Sequence, residues 1–459
     1  MRSLRRTNFG GNVRFVPAAI YRPQSPAEVL ECMRRHPGER LRCIGSGHSW
    51  SRIIATDGVL FDLRDLKHVQ IDAEAGVVHV GAGCTLRRLL RSLRRRGLTL
   101  PTLGATTRQT IAGAVSTGTH GSGAQSMSHF VEAVTLATFD PGSAEPRLVT
   151  LREGAELRAA RCALGCLGVI VEVAMRVAPA YWIEERVEKT DSIDKVLRGQ
   201  SEWPLQQFAL LPWSWTYLVY RRRRTLAPGS RLRALACRAW NFMINDFLLH
   251  LVLKGLLLFA KLRGDHAIRS FFVRLPHFII TGPTRSDASE AVLTMHHELF
   301  RHVEMELFVP ESRLRDAFAG IQELVQIAGE SATRFEALAP LSPKLKEEAW
   351  KLRGSYTLHY PLFVRRVLTD DTLVSMASAA KDPEQAWYSI SLFSYRKVDE
   401  DFARFAGTVA RCMIELAGAR LHWGKYFPIP LEAAATRYPR FGEFEQICLR
   451  FDPGQRFWY

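Results

Sequence analysis

Along the first 180 residues, apolar and polar positions switch repeatedly between a helical and a two-residue rhythm. Ser25 and Pro26 open a helix predicted over 27–35, which yields to a strand at Leu41–Ile44 whose one charged residue is Arg42. Strands are expected at 58–62, at Val69–Asp72 and at 77–80, the last two joined as a hairpin through residues 73–76. Thr85 caps a basic helix that ends near Arg96, with Gly97 as its stop. Strands at 131–138 and 148–151 should pair, and 167–177 is a further strand bounded by Pro179. Near Tyr181 tryptophan becomes common, at Trp182, Trp203, Trp213, Trp215 and Trp240. From there to about residue 410 the pattern predicts a second domain, with strands at 216–220, 304–309 and 388–395 and a helix over 311–328.

The strongest apolar segment, 247–262, is interrupted by His250 and Lys254 and falls short of the roughly 20 residues a spanning helix needs. With Asp246 and Lys261, these two form a narrow polar stripe on an otherwise greasy helix. Two readings follow: a buried helix of the second domain, or an amphipathic helical insertion near 230–275 lying in a membrane interface. The second is helped by Arg221 to Arg224, Arg231, Arg233 and Arg238.

At 459 residues the chain is too long for one ordinary core, and 47% hydrophobic with 24% charged residues is normal for a folded protein. A formal charge of +16 raises nucleic acid as a partner, but no nucleic-acid module accompanies it; attraction to anionic lipid fits as well. The eight cysteines include no C-x-x-C pair, which argues for reduced thiols in a cytosolic setting and against a disulfide framework or a zinc site. Residues 1–11 are basic without an apolar stretch, so no secretory signal is expected. The expected location is cytoplasmic, with peripheral contact at the inner face of the membrane through 221–262 as the variant.

Two glycine-rich stretches carry the chemistry. Gly45-Ser46-Gly47-His48-Ser49-Trp50 follows the strand at Leu41–Ile44, where glycines let backbone N–H groups approach a diphosphate. Its spacing breaks the nicotinamide fingerprint, which needs a third glycine opening a helix. The second stretch, 103–123, is almost all small residues and hydroxyls. Such a run is expected to hug a flat polar cofactor rather than pack a core.

Taken with Ala112-Gly113, Gly118-Thr119-His120-Gly121, the run Gly165 to Ile170 and His422-Trp423-Gly424-Lys425, these loops resemble the vanillyl-alcohol-oxidase type of flavoprotein. Within it the chain is most similar to the sugar-lactone and alditol oxidase branch (gulonolactone, arabinonolactone and alditol oxidases). The resemblance implies an α+β fold: a two-lobed FAD-binding domain of the PCMH type over 8–180, then a cap domain over 181–410. The cap would be built on an antiparallel sheet with flanking helices, and a C-terminal segment, 411–459, would return to the FAD domain. It implies FAD held by Gly45, Ser46, Gly47, His48, Ser49, Gly104, Thr107, Thr110, Ala112, Gly113, Thr117, Gly118, His120, Gly121, Val169, Ile170 and Lys425, with His48 joined covalently to the flavin 8α-methyl, and no metal.

Lys425 matches the lysine at the flavin N1–C2 edge, where a fixed ammonium stabilises the charge left by hydride transfer. Counting back from Asp370-Asp371, Arg365 matches the cap arginine of a Glu-x-Arg pair, while Phe363 stands in the glutamate's place. A phenylalanine accepts no hydrogen bond from a substrate hydroxyl, which turns the expectation away from a sugar toward a less polar alcohol. Gly104 would leave room for dioxygen near the flavin, Ala105 replaces a hydroxyl residue of the alditol branch, and His422 is a candidate for proton handling. The implied reaction is oxidation of a CH–OH group of an aldonolactone- or alditol-like substrate, with hydride passing to flavin N5 and O2 reoxidising the flavin to give hydrogen peroxide. The alternatives are a membrane-associated FAD dehydrogenase of a lipid-linked or sterol-like alcohol with another acceptor, and a catalytically silent flavin-binding scaffold.

Overall fold

In the computed structural model the N-terminal part is two small lobes. The structure describes residues 4–139, 145–226, 228–279, 281, 284–295, 301–332, 334–379, 386–395 and 400–458. The side chains of Arg231, Arg233, Trp240 and Asp246, named above, lie outside the described set. The first lobe is a parallel sheet in which Val59–Asp62 is flanked by Ala19–Tyr21 and Leu41–Ile44. Its crossover helix, Pro26–Arg34, starts one residue earlier than expected because proline suits the first helical position; Ser25 caps it by accepting the Glu28 N–H at 3.2 Å.

The second lobe is a five-stranded antiparallel sheet in the order Pro146–Leu151, Val131–Phe139, Val169–Arg176, Val77–Gly81, Val69–Asp72. The expected hairpin and the 131–138/148–151 pair are both present. Thr85 accepts the Arg88 N–H to cap the helix Leu86–Arg94, and Gly97 follows with φ +68. That helix buries Leu86, Leu89, Leu90 and Leu93, the i, i+3, i+4, i+7 stripe of a core-facing helix. One expectation is corrected here. The second glycine-rich stretch does pack a core, because Ile111, Ala114 and Val115 stand at i, i+3 and i+4 of a helix, Ile111–Ser116, and are fully buried. The small residues between them hid the amphipathic turn.

Eight further strands form one antiparallel sheet in the order Arg285–Ala288, Trp182–Thr190, Tyr217–Thr225, Gln207–Leu210, Leu362–Leu368, Ala386–Ser394, Val303–Pro310, Arg420–Leu421. Helices Leu314–Ala328 and Glu400–Ala417 pack on each other and against Val303–Pro310. The architecture is thus α+β, a two-lobed domain joined to a cap built on an antiparallel sheet. The run Arg221 to Arg224 is not a membrane-facing basic cluster: it continues the strand Tyr217–Thr225. Opposite it, Glu184, Glu185 and Glu188 take Arg223, Arg222 and Arg221 in ion pairs.

Helices Leu249–Arg263 and His266–Phe278 form a hairpin through Gly264, which adopts φ +84. The hairpin is neither wholly buried nor striped as expected. Leu253, Ala260, Ile268 and Phe272 face inward to a small core with Tyr360, and His250 faces inward with them, whereas Lys254 and Lys261 are exposed. Among the described residues, no helix is long and apolar enough to cross a membrane. All eight cysteines are free thiols.

Candidate active site

A cavity enclosing about 1810 Å³ of atom-free space, counting its solvent mouth, lies between the two lobes and the cap sheet. The loop after Leu41–Ile44 turns at Gly47, whose φ of +68 an L side chain would strain. A Cβ on Gly45 would lie 2.1 Å from the Thr110 Oγ1, so only glycine lets the two glycine-rich segments abut. Ser46 Oγ donates to the Arg108 carbonyl at 2.6 Å, tying the segments further. Trp50, which broke the nicotinamide spacing, stitches the loop to the rest of the site. Its backbone N–H donates to the Gly424 carbonyl at 2.9 Å, its indole N–H to the His302 carbonyl at 2.8 Å, and the Lys425 ammonium lies 4.8 Å over its ring.

The cavity gathers most of the residues singled out in the sequence: Gly45, Ser46, Gly47, His48, Ser49, Gly104, Thr110, Ala112, Gly113, Thr117, His120, Ile170, Arg365, His422 and Lys425, together with Phe363. It does not gather four. Val169 is buried in its strand opposite Ala137, and Gly118 turns the chain at φ +69 beside Met376. Gly121 packs on the Leu103 carbonyl, and Thr107 faces a separate cavity that Arg365 also borders. These four shape the backbone without lining the cavity. Gly104 lines it, but a Cβ there would lie 2.7 Å from the Thr119 methyl. Its smallness is set by packing and does not argue for a dioxygen path.

The most charged wall comes from residues the sequence reading missed. Glu304 and Glu306 alternate on Val303–Pro310, both buried, and reach the cavity with His302. Lys425 pairs with Glu304 and stands 3.9 Å from Glu306. His120 Nε2 lies 3.1 Å from a Glu306 carboxylate oxygen and its Nδ1 3.0 Å from the Gly121 carbonyl, so both ring nitrogens face acceptors. Burial alone would raise the Glu306 carboxyl, but the neighbouring His120 and Lys425 hold it well below the usual carboxylate range. Burial pushes His422 down to about 3, so its ring is neutral. Its Nδ1 accepts the Gly424 N–H at 3.0 Å, which spends the basic lone pair on the turn that presents Lys425. His422 is therefore a positioning residue rather than the proton carrier expected. His120, Glu306 and His422 lie close enough to surround a cation. The Lys425 ammonium already fills that role beside Glu306, and the set behaves as an ion-pair network.

Beside this wall, across the pairing of Glu304 with Phe393, the cavity is aromatic. Tyr360, Phe363, Phe393, Tyr395, His250 and Met295 line it, with Phe363 edge-on to Phe393 at 6.0 Å and Tyr360 5.0 Å from Phe393. His250 hydrogen-bonds the Tyr395 hydroxyl, and burial pushes its ring down to about 4, keeping it uncharged. Arg365 is the cation bordering this part; its Nε faces the Gln207 Oε1 at 3.4 Å.

The cradle fits a dinucleotide. Glycines stand where a Cβ would collide, and Ser46, Thr110 and Thr117 border the same space. The Gln109 Oε1 is a buried acceptor at the wall with no hydrogen-bond partner among the described residues, as a ligand-facing amide would be. Gln109 was also missed; it is the one long amide in a run of small residues.

Comparison with known proteins agrees with this geometry. Residues 17–143 match the family model of the FAD binding domain, and residues 173–459 that of D-arabinono-1,4-lactone oxidase. A long-chain alcohol oxidase of an uncultured marine euryarchaeote is 42% identical over 456 residues, covering 98% of this chain and 94% of that one. The L-gulonolactone oxidase of Bos taurus is 26% identical, covering 95% and 92% of the two chains, and the alditol oxidase of a Streptomyces species 25%, covering 98% and 96%. A solvent-stable cholesterol oxidase has the same fold, with a TM-score of 0.72 at 15% identity over 99% of this chain and 96% of that one. The chain therefore belongs to the D-arabinono-1,4-lactone oxidase family, in the sugar-lactone and alditol branch of the vanillyl-alcohol-oxidase type, and is an FAD-dependent oxidoreductase acting on CH–OH donors.

Proposed function

We propose that the protein oxidises the alcohol group of an apolar, long-chain substrate and uses O2 as electron acceptor. The observation that carries this reading is the aromatic end of the cavity, with Phe363 two residues before Arg365 on the same face of Leu362–Leu368. An aldonolactone or alditol presents several hydroxyls that would lose hydrogen bonds with water against Phe363, Phe393 and Tyr360, whereas an alkyl chain gains by leaving water there. The name of the 42% identical relative, a long-chain alcohol oxidase, points the same way.

Bound FAD supplies a hydride acceptor at N5 that O2 then reoxidises, yielding hydrogen peroxide. The chain's residues do the rest. Arg365 faces the substrate oxygen and favours its charged form as the carbon–hydrogen bond breaks. Lys425 holds a positive charge beside Glu304 on the cavity wall, where the resemblance puts the flavin N1–C2 edge. Tyr360, Phe363 and Phe393 exclude water and orient the chain.

Phe363→Glu is expected to cut kcat/KM for a long-chain primary alcohol by about 10–200-fold, the scale of discrimination in a hydrophobic pocket, and to raise turnover of alditols. A variant whose preference does not move would leave the aromatic wall without a role in specificity.

We further propose that His48 carries the flavin covalently. It lines the cavity with its ring stacked on Phe9 at 5.0 Å, which fixes the imidazole plane. After acid precipitation, colour should stay in the pellet for the parent chain and pass to the supernatant for His48→Ala. Colour in both supernatants would show that no bond forms.

A further inference from the structure

Among the described residues, 18 large hydrophobic side chains are exposed, and 14 of them fall between positions 226 and 278. Seven of these lie on the helical hairpin and six on the helical segment just before it, 231–248. On Leu249–Arg263, Leu253 and Ala260 face the protein, while Leu258, Phe259 and Leu262 remain 65%, 51% and 81% exposed. On His266–Phe278, Val273 and Phe278 are exposed in the same way. Apolar surface gathered on one element of a folded chain marks a contact with something apolar.

The charge around these side chains says what kind of partner fits. Lys254, Lys261, Arg263, Arg269 and Arg274 lie on the two helices against a single acid next to them, Asp265. Lys254, Lys261, Arg263 and Arg274 are exposed among the apolar side chains. Long cationic stems can lie along an apolar layer while their heads reach its polar boundary. Apolar side chains interleaved with cations, on helices too short to span, are the chemistry of a helix lying in the headgroup boundary of an anionic bilayer.

We propose that this hairpin seats the protein on an anionic lipid surface, with its outer face in the headgroup boundary and its inner face forming part of the catalytic chamber. The inner face is already there. His250, on the helix that carries Leu258 and Leu262, lines the cavity and bonds Tyr395, and Leu253, Ile268 and Phe272 pack with Tyr360. One element thus touches lipid on one side and the aromatic end of the cavity on the other. Seating itself does not depend on which alcohol is oxidised. Delivery of a long-chain alcohol from the bilayer to the cavity rests on the reading above.

The test is co-sedimentation of the flavin-loaded full chain with phosphatidylcholine vesicles and with vesicles that also contain phosphatidylglycerol. The parent protein should pellet with the anionic vesicles and much less with the neutral ones, and added salt should release it. The double variant Leu258→Asp/Leu262→Asp should lose at least about tenfold in vesicle affinity, and Lys261→Glu/Arg263→Glu should lose the preference for anionic vesicles. Both should keep the parent's flavin spectrum, melting temperature and turnover of a soluble short-chain alcohol. A parent that pellets with neither vesicle, or a Leu258→Asp/Leu262→Asp variant that pellets equally, overturns the proposal. A parent that is dimeric without lipid and made monomeric by that variant would assign the face to a second copy, which also overturns it. Vesicle binding without oxidation of any long-chain alcohol would overturn the substrate reading and leave the seat standing.

Discussion

Lys425→Met is expected to slow flavin reduction by roughly 10²–10³-fold at saturating substrate, with KM little changed. Methionine keeps most of the length and apolar stem of lysine and removes only the charge. The ammonium is half-buried, paired with Glu304, 3.9 Å from Glu306 and over the Trp50 ring, so no mobile ion from solvent can reproduce its position. The turn that presents it is held by groups that the substitution leaves alone, the Gly424 N–H to His422 and the Trp50 N–H to Gly424. Rapid-mixing absorbance of the reductive half-reaction gives the rate. Affinity for sulfite, which adds reversibly to flavins with a positive charge near N1, should fall in parallel. A rate within about tenfold of the parent and unchanged sulfite affinity would remove Lys425 from the chemistry.

Glu306→Leu should cost about 3–5 kcal/mol of stability, the scale for breaking a buried ion pair from one side. His120 and Glu306 are both nearly solvent-free, so the variant leaves His120 Nε2 facing a hydrocarbon. The loss should also depend on pH. Because the Glu306 carboxyl is held below its ordinary value of 4.5 in the folded chain, its stabilisation is fully present above about pH 4.5 and disappears as the pH falls through the folded value. Urea unfolding should therefore show a wide gap between parent and variant at neutral pH and a shrinking one on acidification. A gap that stays constant would mean that the carboxylate charge carries none of the effect.

Which parts of this site were legible in the sequence follows from how locally each is encoded. The two glycine-rich loops and the His-Trp-Gly-Lys turn are contiguous, and their special backbone demands, such as φ +68 at Gly47, restrict the residue types enough to be recognised. Glu304 and Glu306 fell in a predicted strand, 304–309, but were not singled out in it. Nothing local distinguishes a face turned to water from one turned to a cavity. The aromatic wall depends on register: Phe363 lies opposite Ser391, and only that pairing brings Phe393 and Tyr395 beside it. The run Arg221 to Arg224 misled for the same reason, since its glutamate partners stand some 35 positions earlier, across a strand pair. Arg365 borders the cavity and also a second one, which no local pattern in the sequence marks.

The edge strand Arg420–Leu421 docks on Val303–Pro310, and Lys425 follows it directly. In a growing polypeptide the two glycine-rich segments, 45–49 and 103–123, thus emerge about 300 residues before Lys425. Long-range pairing of this kind is slow compared with local structure. The wall that carries Glu304, Glu306 and Lys425 can therefore close only after the last strand of the sheet has been made.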